Sequence, residues 1–237
     1  KGANRAAESG NLEMVQDLRA YGIHCTTEGA DRAAKRGHLE VIRDLRSHGV
    51  HCTSKGANWA AAHGHVEVLQ DLQAHGIDCT ERAALDAAAR GQLDVIQELL
   101  ARGRRSLFSD TVADAAAAKG HLDVVRELWA HGFHCSRESL ETAVAKGGHL
   151  EMVRCLLDTY SEYLSAHSTV PGGIADQAAK HGHLHVVQEL RVHGFNCTDH
   201  GADSAAMKGH LHVVQDLRAH GIHCPEWGAY RARVNSQ

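Results

Sequence analysis

Aromatic side chains are scarce in this chain. Phe, Trp and Tyr make up 4% of the 237 residues, whereas apolar residues as a whole make up 43%. A core must therefore come mainly from Ala, Val, Leu and Ile, which favours small helices packed closely together. The scarcity also leaves few rings on which bases could stack, and the net charge is −4, so we expect a protein partner and not nucleic acid.

Long apolar segments are absent as well. No stretch approaches the ~20 apolar residues that a membrane span requires, and no charged-then-apolar leader opens the chain, so we predict no membrane insertion. The sequence also lacks a Gly-rich phosphate loop, a nucleophile elbow and a paired-carboxylate constellation. We therefore predict that the protein is not an enzyme and needs no cofactor.

What the chain does contain is a repeat. The run AAKRGHLEVI at residues 33–42 returns 27 residues later as AAAHGHVEVL at residues 60–69. A fixed period of this size is typical of stacked arrays of short supersecondary units. The anchoring glycines are Gly10, Gly37, Gly64, Gly91, Gly120, Gly148, Gly182 and Gly209. We interpret residues 1–237 as a single array, with repeats near 1–27, 28–54, 55–81, 82–108, 109–137, 138–170, 171–199 and 200–226, and a partial repeat at 227–237.

Each repeat predicts two helices. In residues 26–52, Thr26 is placed to cap a first helix, which carries a stripe of small side chains and ends at Gly37 in the left-handed conformation. A second helix then carries an apolar stripe and ends at Gly49. The stripe is formed by Leu39, Val41, Ile42 and Leu45. The helix–turn–helix prediction is strong because all eight units keep this pattern.

This unit resembles the ankyrin repeat. The match lies in AAKHGHL at residues 178–184 and its counterparts. The resemblance implies an α-solenoid of stacked helix–turn–helix repeats that binds protein partners on a concave face formed by first helices. The usual repeat has about 33 residues and projects a β-hairpin finger, whereas only about eight residues separate Gly49 from the next helix here. We therefore expect an all-α, ankyrin-like fold of short repeats without the fingers.

Two columns of residues vary among otherwise similar repeats, and we predict that they contact the partner. The resemblance places the first column on the concave face, and the second column leans basic, which suggests an acidic segment on the partner. The predicted contacts are Arg5, Arg32, Trp59 and Asp86 in the first column, and Arg36, His63 and Arg90 in the second. Trp59 stands out because an exposed Trp is a frequent binding anchor. Neutral drift at solvated positions is the alternative explanation.

Two repeats depart from the regular spacing and extend the predicted site. The loop after the fourth repeat gains a basic cluster that includes Arg104 and Arg105. In the sixth repeat an insertion at 159–173 contributes Tyr160 and Tyr163. We expect it to lengthen the second helix, either covering an apolar patch or presenting it to a partner.

The recurring cysteines and histidines raise the alternative of a metal-binding array. Equivalent atoms in neighbouring repeats should lie ~8–10 Å apart, which is too far for a disulfide or for one shared zinc ion. We therefore interpret the cysteines as structural thiols in a reducing intracellular compartment, the cytoplasm or nucleus. The resemblance implies that histidines after the anchoring glycines stabilise the turn. Acids four residues before other histidines, such as Asp44 before His48, predict weak pairs on a solvated face.

Three functions follow from these patterns. The first is a protein–protein interaction scaffold that binds its partner on the concave first-helix face. The second is an architectural subunit of a larger assembly, because no polar cap is evident at either end of the array. The metal-binding array is the weaker third. The sequence leaves the oligomeric state and the identity of the partner open.

Overall fold

The structure, a computed structural model, describes residues 2–143, 148–157 and 173–223. Within these ranges every regular element is a helix, which confirms the all-α prediction, and no strand forms a hairpin finger. Helices are numbered here in chain order. The first helices of the repeats are α1 (Gly2–Glu8), α3 (Thr27–Arg36), α5 (Ser54–Ala62), α7 (Glu81–Ala88), α9 (Asp110–Ala118), α11 (Arg137–Thr142), α13 (Gly173–Lys180) and α15 (Asp199–Met207). The second helices are α2 (Leu12–Ala20), α4 (Leu39–Ser47), α6 (Val66–Ala74), α8 (Leu93–Ala101), α10 (Leu122–Ala130), α12 (150–157), α14 (Leu184–Val192) and α16 (Leu211–Ala219).

Two compact units divide the chain. The N-terminal unit comprises residues 1–116 and 123–134, and the C-terminal unit comprises residues 117–122 and 135–237. In the N-terminal unit α1, α3, α5 and α7 pack side by side in that order, and each second helix from α2 to α8 packs on its own first helix. In the C-terminal unit α13 packs on α15 and α14 on α16 in the same way. Each unit is therefore assembled by stacking helix pairs. The predicted single array stays a prediction.

The two helices of a repeat bury different kinds of side chain. In α3 the small residues Ala30, Ala33 and Ala34 are fully buried, so neighbouring first helices can approach closely. In α4 the larger side chains of Ile42 and Leu45 are buried and fill the space between helices. The predicted small stripe is thus confirmed as core, as are Val41, Ile42 and Leu45 of the apolar stripe, whereas Leu39 is only half-buried.

The turn between the two helices depends on a left-handed glycine. Gly37 ends α3 with φ of +80°, and the following backbone N–H of His38 donates to the carbonyl of Ala33 at 3.0 Å. This is the hydrogen-bonding pattern of a Schellman cap, in which glycine avoids the steric cost of a Cβ. The predicted end of the first helix at Gly37 is confirmed.

The same glycine also receives a histidine from the next repeat. A Cβ on Gly37 would lie 2.6 Å from Nδ1 of His65, so the imidazole occupies the space that any other residue would need. Nε2 of His65 then donates to the carbonyl of Lys35 at 3.1 Å. We call this arrangement the glycine–histidine contact. It recurs as Gly10–His38, Gly120–His149, Gly148–His183 and Gly182–His210.

The position of these histidines specifies which turn they stabilise. The resemblance implied that they stabilise the turn, and His65 bonds to the end of the first helix of the preceding repeat, 30 residues earlier in the chain. The imidazole therefore joins consecutive repeats. Gln92 takes the corresponding place in the fourth repeat and lies against Gly64.

A second contact joins each first helix to the loop before the next one. Asp31 is 5% exposed and accepts hydrogen bonds from both the backbone N–H and the hydroxyl of Thr53, each at 2.7 Å. Asp176 holds Thr198 in the same way. We call this pairing the Asx–Thr clamp. Because the threonine is also the N-cap residue of the next helix, the clamp fixes where that helix begins.

Five of the six described cysteines lie in the loops between repeats as buried thiols, whereas Cys155 lies in α12 and is half-buried. Cys52 and Cys197 are each 7% exposed, and burial raises the pKa of both to about 12. None of the six cysteines within the described residues forms a disulfide. These positions agree with the interpretation of structural thiols.

The glycine–histidine contact predicts unequal effects for two glycine substitutions. Gly37 and Gly49 have nearly the same φ, +80° and +81°, but a Cβ on Gly49 would meet nothing within 4 Å. Ala at either position adds left-handed strain of about 1–2 kcal/mol. We expect Gly37→Ala to lose about 1 kcal/mol more, because it displaces His65 from its hydrogen bond. Urea denaturation measures both free energies of unfolding, and equal losses would contradict the contact.

The Asx–Thr clamp predicts that Asn can replace Asp31 with little loss of stability, whereas Ala cannot. Asp31→Ala leaves two donors of Thr53 without their acceptor and should lower the free energy of unfolding by about 2–3 kcal/mol. Asp31→Asn should cost under about 1 kcal/mol, because Asn58 already holds Thr80 by the same two bonds with the side-chain donor reversed. If thermal denaturation showed both variants to be equally unstable, the clamp would be refuted.

Candidate functional site

The predicted contacts in the N-terminal unit lie on its first helices. The two variable columns are four residues apart on each helix, so both project from one side of α1, α3, α5 and α7. We call this surface the first-helix face. It is formed by Arg5 and Ser9, Arg32 and Arg36, Trp59 and His63, and Asp86 and Arg90.

An open depression of about 460 Å³ lies between α1 and α3 on this face. It is lined by Arg5, Glu8, Ser9 and Arg36. Arg5 and Arg36 are exposed, and neither guanidinium has a carboxylate partner within the described part of the chain. The structure thus brings two of the predicted contacts to one cavity with their charges uncompensated.

Arg32 lies beside this depression but is already paired. Its guanidinium donates to Glu28 at 2.8 Å and to Glu8 at 3.2 Å. The hydrogen bond to Glu28, helped by the charge of both glutamates, raises the pKa of Arg32. Arg32 therefore binds both acids of the face and offsets one of their two negative charges, whereas Arg5 and Arg36 form no ion pair within the described residues.

Trp59 is half-buried, so the expectation of an exposed anchor is wrong in that respect. The ammonium of Lys55 lies 4.5 Å from the ring centroid and that of Lys35 lies 5.5 Å from it. Both are within cation–π distance. Two ammonium groups thus lie against the Trp59 ring, and both add positive charge to the face.

His63 sits beside Trp59 and against a second histidine. Its Nδ1 donates to the carbonyl of Trp59 at 2.8 Å, and its ring stacks on His65 with centroids 6.4 Å apart. Burial lowers the pKa of His65, and the nearby charges of His63 and His38 act in the same direction. The face is therefore linked to a glycine–histidine contact through this stacked pair.

The other predicted contacts differ in whether they are paired with another side chain. Asp86 accepts from Arg82 at 2.9 Å, whereas Arg90 is exposed and has no ion pair among the described residues. Arg104 pairs with Asp78 at 2.5 Å, and the guanidinium of Arg105 lies 4.7 Å from the ring centroid of Phe133. The two arginines of the basic loop thus contact the corresponding loops of the preceding and the following repeat. Tyr160, Tyr163 and the 159–173 insertion are not placed, because all but the last residue of this segment lies outside the described residues.

Sequence reasoning missed a ladder of ion pairs along the second helices. Arg19 binds Asp44 at 2.7 Å and Arg46 binds Asp71 at 2.5 Å, in each case 25 residues further along the chain. Arg191 and Asp216 repeat the pairing in the C-terminal unit. The 25-residue spacing of arginine and aspartate was the available signal.

The predicted acid–histidine pairs are present as long contacts, such as Nδ1 of His131 at 3.4 Å from Glu127. Their acids are mostly buried, so the prediction of a solvated face is wrong for the acids. The Asp71 side chain is only 8% exposed, and its carboxylate lies 3.9 Å from Nδ1 of His75. That nitrogen donates instead to the backbone carbonyl of Asp71 at 2.7 Å. Burial alone would raise the pKa of Asp71, but hydrogen bonds from Arg46 and Arg43 outweigh it and the pKa is lowered. The acids therefore serve the contacts between repeats.

Two further properties bear on function. No group of three or more His, Cys, Asp or Glu side chains within residues 2–143, 148–157 and 173–223 is arranged to hold a metal ion. The metal-binding array is therefore not supported. In the same ranges every helix is too short or too polar to traverse a bilayer.

Comparison with known proteins points to one family. Residues 30–73 match a model of ankyrin repeats in many copies, and residues 85–166 match a model of three ankyrin repeats. The matches span 44 and 82 residues, more than half of the 237-residue chain between them. A search among curated proteins found no match.

The fold agrees with these matches. The structure is similar to the crystal structure of the human ASB11 ankyrin repeat domain, with a TM-score of 0.55 and 20% sequence identity. The alignment covers 67% of this chain and 83% of the other. At this level of identity the similarity shows a shared repeat solenoid and carries no information about the partner.

The lowered pKa of His65 predicts a pH dependence of stability. The unfolded chain, with a histidine pKa near 6.5, binds more protons than the folded chain just below that pH, so stability falls as the pH drops from about 7 to 5. We expect His65→Gln to make this decline shallower, because Gln92 already occupies the equivalent position. His51→Gln, in an exposed loop, is the matched control and should keep the wild-type slope. Chemical denaturation at several pH values measures the slopes, and an unchanged slope in His65→Gln would argue against the assignment.

Proposed function

Since the chain belongs to the ankyrin-repeat family, whose repeats mediate protein–protein interaction, we propose that it is a non-enzymatic scaffold that binds a partner protein on the first-helix face of the N-terminal unit. The observation that carries this proposal is the pair of uncompensated arginines, Arg5 and Arg36, at one open depression. Charged side chains left without a partner at a cavity are ready to bind an oppositely charged group.

The charge of the face favours an acidic segment on the partner. Helices α1, α3 and α5 place five cations around the depression and Trp59, against two surface glutamates that Arg32 already binds. The cations are Arg5, Arg32, Lys35, Arg36 and Lys55. The chain as a whole has a net charge of −4, so this positive charge is a local feature. Complementary charge raises association rates and selects against basic partners.

Trp59 adds an apolar contact surface beside the cations of the face. Its indole gives apolar area next to the ammonium groups of Lys35 and Lys55. A partner segment that carries carboxylates and at least one apolar side chain would satisfy both features. The acidic segment then extends from the α1–α3 depression towards α5.

The buried thiols favour a reducing compartment as the location of this function. None of the described cysteines forms a disulfide, and all are buried apart from the half-buried Cys155. Cysteines without disulfides are typical of reducing compartments. We propose that the protein acts inside the cell, in the cytoplasm or nucleus.

Charge reversal on the first-helix face tests the proposal. A fluorescent twelve-residue peptide of alternating Glu and Leu serves as the defined acidic probe, and the same peptide with Gln for Glu measures binding without charge. We expect Arg5→Glu combined with Arg36→Glu to weaken binding of the acidic peptide by about tenfold or more, because two charge-assisted contacts become repulsive. Fluorescence anisotropy gives the dissociation constants.

The control applies the same change of charge elsewhere. Arg126 and Arg218 are exposed on second helices and have no ion pair among the described residues. Arg126→Glu combined with Arg218→Glu should leave the affinity within about twofold of wild type. Equal losses in the two double variants, or equal binding of the Glu and Gln peptides by wild type, would refute the proposed face.

A further inference from the structure

The depression between α1 and α3 differs from its neighbours in what surrounds it. Arginines in most other places are committed to ion pairs, as Arg19 is with Asp44 and Arg46 with Asp71. At the depression, Arg5 from one helix and Arg36 from the next both line a single cavity without such a partner. The depression is thus lined by one arginine from each of two neighbouring first helices.

The cavity exists because of Ser9. In the same column the following first helices of the unit carry Arg36, His63 and Arg90, all of them large. Ser9 is short, and its hydroxyl donates to the carbonyl of Ala6 at 3.0 Å, which keeps it close to its own helix. The space that a longer side chain would fill is therefore open to a ligand group of about 460 Å³ or less.

The one acid at the cavity is already occupied. Glu8 binds Arg32 at 3.2 Å, and Arg32 in turn also binds Glu28. Because Arg32 offsets part of the charge of Glu8, the lining of two arginines and one glutamate presents a net positive charge to an incoming anion. Removing Arg32 would release Glu8 to repel that anion.

Two guanidinium forks suit a dianion better than a single carboxylate. A carboxylate has two oxygens and one charge, and one arginine satisfies it bidentately. A phosphate monoester carries a charge of about −1.5 to −2 and three acceptor oxygens, enough for two arginines at once. Lysine cannot replace arginine here without loss, because an ammonium lacks the planar fork.

We propose that the depression lined by Arg5, Ser9 and Arg36 binds the phosphate of a phosphorylated serine or threonine in the partner protein. This inference rests on the proposed function, because it assumes that a partner segment lies on the first-helix face. Phosphorylation of the partner then controls its binding. Acidic residues beside the phosphorylated residue lie towards Lys35 and Lys55.

Peptides that differ at one residue test the phosphate site. Three fluorescent peptides have the sequence EELEXLEE, with X as serine, aspartate or phosphoserine. Wild-type protein should bind the phosphoserine peptide at least about tenfold more tightly than the other two, since the phosphate engages both arginines and one carboxylate does not.

A charge-preserving variant separates the site from general attraction. Arg5→Lys combined with Arg36→Lys keeps the charge of the face but removes both forks. We expect it to lose most of the preference for phosphoserine over aspartate, to within about threefold, because an ammonium lacks the fork that engages several phosphate oxygens. Arg126→Lys combined with Arg218→Lys is the matched control and should retain the full preference. Circular dichroism verifies that each variant is folded.

The outcomes distinguish this inference from the function on which it rests. Equal binding of all three peptides by wild type would overturn the phosphate site and leave the acidic-partner proposal standing. No binding of any peptide would overturn both. If the Arg-to-Lys variant kept its preference, the forks would not be the recognition element and the site would be refuted. Stronger binding to lipid vesicles containing 5% phosphatidylinositol 4-phosphate than to the phosphoserine peptide would assign the depression to a membrane lipid instead.

Discussion

The fit of a histidine ring onto the left-handed glycine of the preceding repeat is the constraint on which this structure depends. Gly37 must lack a Cβ for two reasons, its own φ of +80° and the His65 ring that lies against it. With the ring in place, the hydrogen bond to Lys35 sets the separation of the two repeats. The Asx–Thr clamp requires that separation, because Asp31 and Thr53 are short side chains with little freedom to reach further.

The helices could be predicted from sequence because each repeat specifies them locally. Thr26, the small stripe of α3 and Gly37 act within about a dozen residues, and hydrophobic periodicity records them directly. The contacts between repeats are different. Asp31 and Thr53 are 22 residues apart, and His65 and Lys35 are 30 apart, so recognising them requires the stacking geometry. The four-residue spacing made the acid–histidine pairs visible in the sequence, whereas the arginine 25 residues earlier that binds the same aspartate was not considered.

The candidate site likewise combines features that the sequence predicted with contacts between helices that it could not reveal. Variation among repeats selected the positions of Arg5, Arg32 and Arg36 equally well, because spacing alone places all three on one face. It could not reveal that Arg32 binds two glutamates while the other two arginines have no partner in the described residues. Ion pairing across helices depends on side-chain reach, and a column of residues in a sequence contains no such information. Likewise the sequence identified Trp59 as a candidate contact, but it did not reveal that two lysines lie against the ring.

The distribution of arginine partners separates stability from binding. On the second helices the recurring arginines meet nearly buried aspartates, so their charge is spent inside the protein and attracts little from outside. On the first helices the clamp residue Asp31 and the small core residues secure the packing, and neither Arg5 nor Arg36 takes part in it. Those two positions can change without loss of the fold, whereas Asp71 cannot change without stranding Arg46. Charged side chains that form no ion pair within the protein can be adapted to a partner. In the N-terminal unit, Arg5 and Arg36 at the α1–α3 depression are such side chains.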